Sequence, residues 1–308
     1  MMSFRKIIQS TRVKRYYLTT LCLFLLFTCQ DEEEIVYVQT CVDRKPSWSP
    51  DGQYIAFYRD PADRYMGNTC LTNDGTRDSE DTLQGIRLLD LETLDIVFLV
   101  QGYAPDWSPT GGEIVYTIQE FGKIWEINVV TGTTFEITDF MGMNPDWSPD
   151  GSQIVCEKTI DNIGIYLIDT IGNITQIYSS AVEPSWHPSG DRLAFLAQLD
   201  DHYGICVGDT SGTIIRLICA ATGQAYPQYS PDGSKIVYHR LEDASIHVID
   251  TLGNNNIVLA TGFDPSWSPD GQKIVYVAAD TTETKISFSL WMMDADGSHK
   301  EQLTYPDN

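Results

Sequence analysis

The residues of this chain that could do chemistry are few and scattered. Asp106 and Asp146 occupy matching places in two Pro-Asp-Trp-Ser-Pro segments, and two such carboxylates on neighbouring elements could hold a cation such as Ca²⁺, which takes several oxygen ligands. The alternative is that they bond strand backbone or channel water. Acid–base catalysis needs a base beside a cation or an arginine cluster on one face, and the candidates Arg59, Arg64, His239 and Arg240 form no compact motif. His187, His202, His247 and His299 are likewise unpaired in sequence with any repeated nucleophile, and structural or surface roles suit all the histidines. There is no Gly-x-Ser-x-Gly elbow, no His-Glu-x-x-His and no glycine-rich phosphate loop. Neither Cys-x-x-Cys nor a Cys/His ligand spacing is present, which argues against zinc. The expectation is no catalytic residue, no metal and no cofactor.

The elements that carry these residues repeat. A Pro-x-Trp-Ser-Pro-Asp-Gly unit followed by a β-branched run starts at Pro46, Pro105, Pro145, Pro184, Pro227 and Pro265. The spacing, mostly near 40 residues, matches a four-stranded propeller blade. Pro-x-Trp-Ser reads as a strand, and Pro-Asp-Gly as a tight turn in which proline presets φ and glycine takes the positive φ. A second strand follows. About 20 residues on, a third strand ends at Asp90, Asn128, Asp169, Asp209, Asp250 or Asp294, before a second turn and a fourth strand. The prediction is an all-β, six-bladed propeller of four-stranded antiparallel blades. Trp48, Trp107, Trp147, Trp186 and Trp267, with Tyr229 in place of a sixth tryptophan, should be buried between blades, contributing on the order of 3 kcal/mol each. Either residues 299–304 complete the last blade alone, or the strand-like stretch 35–40 inserts there as a clasp.

The unit resembles the TolB-type propeller repeat, a relative of the WD repeat, over about 270 residues. That resemblance implies the propeller and leaves function open, because fold alone does not specify it. Related propellers serve as periplasmic scaffolds, accompany peptidases, or carry polysaccharide lyase sites in their loops. Two functions therefore stand side by side: a non-catalytic scaffold that binds an envelope protein, and a glycan-binding or lyase-like propeller.

Propeller geometry places the variable second-to-third and fourth-to-first connections on one face, where loops are free to vary over a rigid ring. The expected binding face comprises Arg64, Tyr103, Met141, Met143, Glu183, Tyr226, His239, Arg240 and Phe263, residue types that favour interfaces among them. An insertion of about 20 residues in the first unit should rise over the same face. The residue after each motif proline is polar, and Ser47, Asp106, Asp146, Ser185, Gln228 and Ser266 are expected to line the central channel.

Residues 1–28 read as a lipoprotein-type signal peptide, residues 29–37 as an acidic tether and residues 38–308 as the propeller. Five basic side chains and no acid precede the apolar stretch Leu18 to Phe27, which is too short to span a ~30 Å hydrocarbon core. Leu26-Phe27-Thr28-Cys29 resembles a bacterial lipobox, making Cys29 the lipidation site. The acidic run behind it resembles the surface-export signal of Bacteroidetes-type lipoproteins. An outer-membrane lipoprotein on the periplasmic or cell-surface side is expected, touching the membrane through its lipid alone. In that oxidising setting Cys41 and Cys70, which bracket the first unit, are read as a disulfide, and Cys156, Cys206 and Cys219 as buried thiols. Setting aside the five basic residues of the signal leaves 15 basic against 43 acidic side chains, a net charge near −28. Such a field repels nucleic acid and anionic membrane surfaces and permits basic protein surfaces.

Overall fold

The computed structural model describes residues 38–60, 84–118, 122–199, 202–220, 223–281 and 285–305, and every regular element among them is a β-strand. Cys29, Arg64 and Cys70, and with the last the Cys41–Cys70 pairing, lie outside the described residues, as does most of the first unit's insertion.

Each motif copy opens a run of antiparallel strands. The first run is β1 (Val38–Trp48), β2 (Tyr54–Asp60), β3 (Gly85–Asp90) and β4 (Ile96–Val100). The second is β5 (Tyr103–Trp107), β6 (Glu113–Ile118), β7 (Lys123–Asn128) and β8 (Thr134–Glu136). The third is β9 (Gly142–Trp147), β10 (Gln153–Lys158), β11 (Gly164–Asp169) and β12 (Ile174–Ser179). The fourth is β13 (Val182–Trp186), β14 (Arg192–Leu199), β15 (His202–Asp209) and β16 (Ile214–Ala220). The fifth is β17 (Gln228–Tyr229), β18 (Lys235–Arg240), β19 (Ser245–Asp250) and β20 (Ile257–Thr261). The last is β21 (Phe263–Trp267), β22 (Lys273–Thr281), β23 (Lys285–Asp294) and β24 (Glu301–Gln302).

Six separate four-stranded blades were the expectation, and four are found: β5–β8, β9–β12, β13–β16 and β17–β20. The remaining eight strands form one continuous sheet in the order β21-β22-β23-β1-β2-β3-β4, with β24 also on β23. The cause is the length of β1. Its first residues pair in parallel with β23, Val38 opposite Lys285 and Val42 opposite Phe288, while the rest runs antiparallel to β2. β24 takes the neighbouring part of β23, with Trp291 opposite Gln302. The two closures left open by sequence are thus both used, each on its own stretch of β23.

The turns follow from their residues. In Ser49-Pro50-Asp51-Gly52 the serine hydroxyl donates to Asp51 Oδ1 at 2.6 Å, Gly52 N–H donates to the Ser49 carbonyl, and Gly52 takes a φ of 71°. Ser148/Asp150, Ser230/Asp232 and Ser268/Asp270 repeat the hydroxyl–carboxylate bond. The second turns close on an aspartate as expected, Asp169 Oδ1 accepting the N–H groups of Ile171 and Asn173.

Apolar side chains pack between neighbouring sheets. Trp186 joins Val155, Leu167, Leu193 and Phe195 in one such layer, and Trp267 joins Val237, Ile246, Ile274 and Tyr276 in another. Trp48, Trp107, Trp186, Trp267 and Tyr229 are buried. Trp147 departs from the pattern: it is only partly buried, at the margin of the layer formed by Val115, Ile124 and Ile154.

Candidate functional site

All six motif copies converge on one axial cavity of about 110 Å³, lined by their prolines and by Ser47, Asp106, Asp146, Ser185, Gln228 and Ser266. Four of these polar residues tie one copy to the next. Asp106 accepts the Trp147 N–H at 2.8 Å, Asp146 accepts the Trp186 N–H at 2.6 Å, Gln228 accepts the Trp267 N–H at 2.7 Å, and the Ser47 hydroxyl accepts the Trp107 N–H at 3.4 Å. Asp106 also accepts from the Ser47 hydroxyl. Burial lifts the Asp106 carboxyl to about 6 against those bonds. Burial and the charge of Asp106 together push the Asp146 carboxyl well above the usual range. The two carboxyl groups thus tie neighbouring sheets through backbone N–H groups, and among the described residues they belong to no group of three or more His, Cys, Asp or Glu side chains placed to hold a metal ion.

A second ring lies at the mouth of this cavity, at the residue before each motif proline. In five of the six inner strands the register slips by one residue there, as between Arg44 and Ser47, or Val182 and Ser185. Proline has no N–H to give the ladder, so the strand bulges. Lys45, Ala104, Asn144, Glu183, Tyr226 and Asp264 all hold a φ between 41° and 56°. That left-handed conformation is uncommon outside glycine and is further disfavoured ahead of proline. Strain of this kind gathers at functional sites. Its geometric effect is to release these side chains from the alternation of the strand.

The mouth is densely charged. Glu157, on β10, takes the Glu183 N–H at 2.6 Å and the Asn144 side-chain amide at 2.9 Å. Glu183 in turn takes the N–H groups of Ala225 and Tyr226 at 2.9 and 2.8 Å. Burial raises both carboxyls, Glu183 to about 7. Asp264 accepts the Lys45 N–H at 3.3 Å; although burial pushes its carboxyl up, Lys45 and His239 hold it below the usual range. His239 is neutral, brought down to about 4 by burial, and its Nδ1 accepts the Asp264 N–H at 3.1 Å. The Lys45 ammonium lies over the Tyr226 ring, 3.9 Å from Asp264 Oδ1. Burial lowers it to about 8 against the pull of Asp264, Glu183 and Glu157.

The residues expected on the binding face divide. Glu183, Tyr226 and His239 meet at the mouth; Phe263 stands edge-on to His239 at 5.7 Å, and Tyr103 edge-on to Tyr58 at 4.9 Å. His239 and Phe263 are buried, where loop or surface positions were expected, because β18 and β21 run up to the mouth as strands. Met143 is partly buried and Met141 exposed. Arg240 is exposed and paired with Asp243 and Glu242. Lys45, Asn144, Glu157 and Asp264 are additions that sequence reading missed. The signal available was a charged or amide residue directly ahead of a motif proline, and a glutamate inside the apolar run QIVCEK.

A family model described as the TolB beta propeller domain matches residues 96–308. TolB from Acinetobacter baumannii has a similar structure, with a TM-score of 0.63 and 21% identity over 82% of this chain and 76% of that one. An oligogalacturonate lyase from Vibrio parahaemolyticus aligns with a TM-score of 0.53 and 14% identity over 89% of this chain and 80% of that one. An oligogalacturonate lyase solved in complex with manganese aligns with a TM-score of 0.55 and 16% identity, over 87% of this chain and 79% of the other. No curated protein matches at a significant level.

Proposed function

The chain belongs to the TolB β-propeller domain family, and on that premise we propose that it is a non-catalytic binding protein of the bacterial envelope whose partner is another envelope protein. The observation that carries this reading is the mouth: strained residues from five of the six copies gather there, Lys45, Asn144, Glu183 and Tyr226 lining the cavity and Asp264 paired with Lys45, with Glu157 and His239 bonded to Glu183 and Asp264. In this reading the ring counts six blades, the eight-stranded sheet being two that share the closing strand β1. The domain is tethered through a lipid on Cys29. Replacing Cys29 with serine is then expected to abolish labelling by a fatty-acid analogue and to release the protein from membranes; unchanged labelling sinks the anchor.

The lyase-like alternative meets an electrostatic obstacle. Oligogalacturonate carries a carboxylate on every sugar, and a chain near −28 with three carboxyl groups at its mouth repels a polyanion. Basic protein surfaces are attracted by the same field. The test is capture of envelope partners by wild-type protein and by Glu183→Gln with Tyr226→Ala, with Asp169→Ala and Asp250→Ala on the opposite turns as controls. A specific partner is expected to be lost at least tenfold with the mouth variant and retained with the controls. The reverse pattern moves the binding face to the other side, and turnover of oligogalacturonate by the purified protein ends the non-catalytic reading.

A further inference from the structure

The mouth already holds a cation, and that cation belongs to the chain itself. Lys45 reaches it from a left-handed residue at the bulge of β1, with a φ of 52°, so the seat is occupied at the expense of backbone strain. The floor of the seat is the Tyr226 ring, whose π-face attracts an ammonium. Asp264 forms one wall, 3.9 Å from the ammonium, and the charges of Glu183 and Glu157 act on it from further off. The side chains of Asp264 and Lys45 are about one-tenth exposed, so the seat opens to solvent, and the axial cavity adjoins it. The ion pair of Lys45 with Asp264 is long, at 3.9 Å. Glu183 spends Oε2 on the Ala225 and Tyr226 N–H groups, and among the described residues no donor reaches its Oε1. The depressed basicity of Lys45 points the same way, since burial costs this ammonium more than its three carboxylate neighbours return.

We propose that this mouth is a primary-ammonium site, held by Lys45 in the free protein and taken over by a lysine side chain of the partner segment, which displaces it. The inference rests on the mouth being the docking face. Carboxylates around an aromatic floor suit a compact ammonium, and a chain with so large an acidic excess draws basic segments towards it. Exchanging one ammonium for another leaves the buried carboxylates compensated throughout. An anionic or neutral guest would leave them unpaired, at the cost that accompanies a buried charge without its partner. Because Lys45 must leave before the guest enters, the apparent affinity of the guest is reduced by the small fraction of protein with an empty seat.

The test uses n-butylammonium as probe on the purified chain. Lys45→Met keeps the aliphatic stem and empties the seat. It is expected to bind n-butylammonium saturably and at least tenfold more tightly than wild type, to be indifferent to n-butanol, and to lose the effect when Glu183→Gln and Asp264→Asn are added. Equal binding by variant and wild type, or equal binding of n-butanol, overturns the proposal. Should Lys45→Met fail to fold, nuclear magnetic resonance of wild type decides. The Lys45 Hε protons, shifted upfield over the Tyr226 ring, are expected to move towards ordinary lysine positions as n-butylammonium is raised, and signals that stay in place overturn it. Neither arm involves the partner, so failure here with intact partner capture removes the ammonium site and leaves the docking face standing.

Discussion

Replacing Asp43 with alanine is expected to cost about 3–5 kcal/mol, the range for breaking a buried, doubly hydrogen-bonded ion pair by removing one member. Asp43 is fully buried and Arg59 is 1% exposed. The guanidinium donates to both carboxylate oxygens, Nε to Oδ1 at 2.5 Å and Nη2 to Oδ2 at 2.8 Å. A third donor comes from the far end of the chain: the Thr304 hydroxyl gives its proton to Asp43 Oδ2 at 2.6 Å, while its oxygen accepts the Leu290 N–H at 2.8 Å. The carboxylate thus ties β1 to β2, to β23 and to the residues after β24, where the first and last described strands meet. Without it the buried guanidinium loses two charge-assisted hydrogen bonds and the threonine hydroxyl loses its acceptor. Urea unfolding measures the loss, and a midpoint shift worth under ~1 kcal/mol would show that the pair does not secure the closure.

The repeat was legible in sequence because its turns need particular residues. Proline, aspartate and glycine recur where the backbone demands them, and the aromatic residue recurs where neighbouring sheets must be filled. The closure was legible only as two alternatives, since nothing local in residues 38–42 fixes their parallel pairing with a strand some 245 residues away. The polar ring of Ser47, Asp106, Asp146, Ser185, Gln228 and Ser266 could be placed at the axis because the side chains between proline and aromatic share a polar character. The mouth ring escaped notice because Lys45, Ala104, Asn144, Glu183, Tyr226 and Asp264 share no side-chain chemistry. Their common property is a backbone angle, to which no residue type is committed. Glu157 was hidden, and the burial of His239 unforeseen, for another reason: a charged or titratable residue near the end of an apolar strand is usually a solvated strand terminus, and here the strand ends against other strands.

Trp186→Ala is expected to cost about 3–5 kcal/mol, the range for emptying a large aromatic site in a packed layer, whereas Trp147→Ala should cost about half as much or less. The two residues stand at the same motif position, so the difference isolates packing from sequence context. Trp186 is 6% exposed and touches a layer built from Val155, Leu167, Leu193 and Phe195 on two sheets. Its indole N–H donates to the Asp146 carbonyl at 3.2 Å. Truncation leaves a cavity between two sheets whose backbones are fixed by their own ladders, so little of it can collapse, and the Asp146 carbonyl loses a donor. Trp147 is already partly open to solvent, and among the described residues its indole N–H has no hydrogen-bond partner. Alanine there surrenders less apolar burial and no side-chain hydrogen bond, while the backbone N–H still reaches Asp106 Oδ2. Urea midpoints at a common slope give both values. Equal losses would mean that the inner-strand aromatics stabilise the ring as wedges of fixed worth, independent of how completely each is enclosed. Unequal losses in the stated order assign the stability to the depth of each inter-sheet layer.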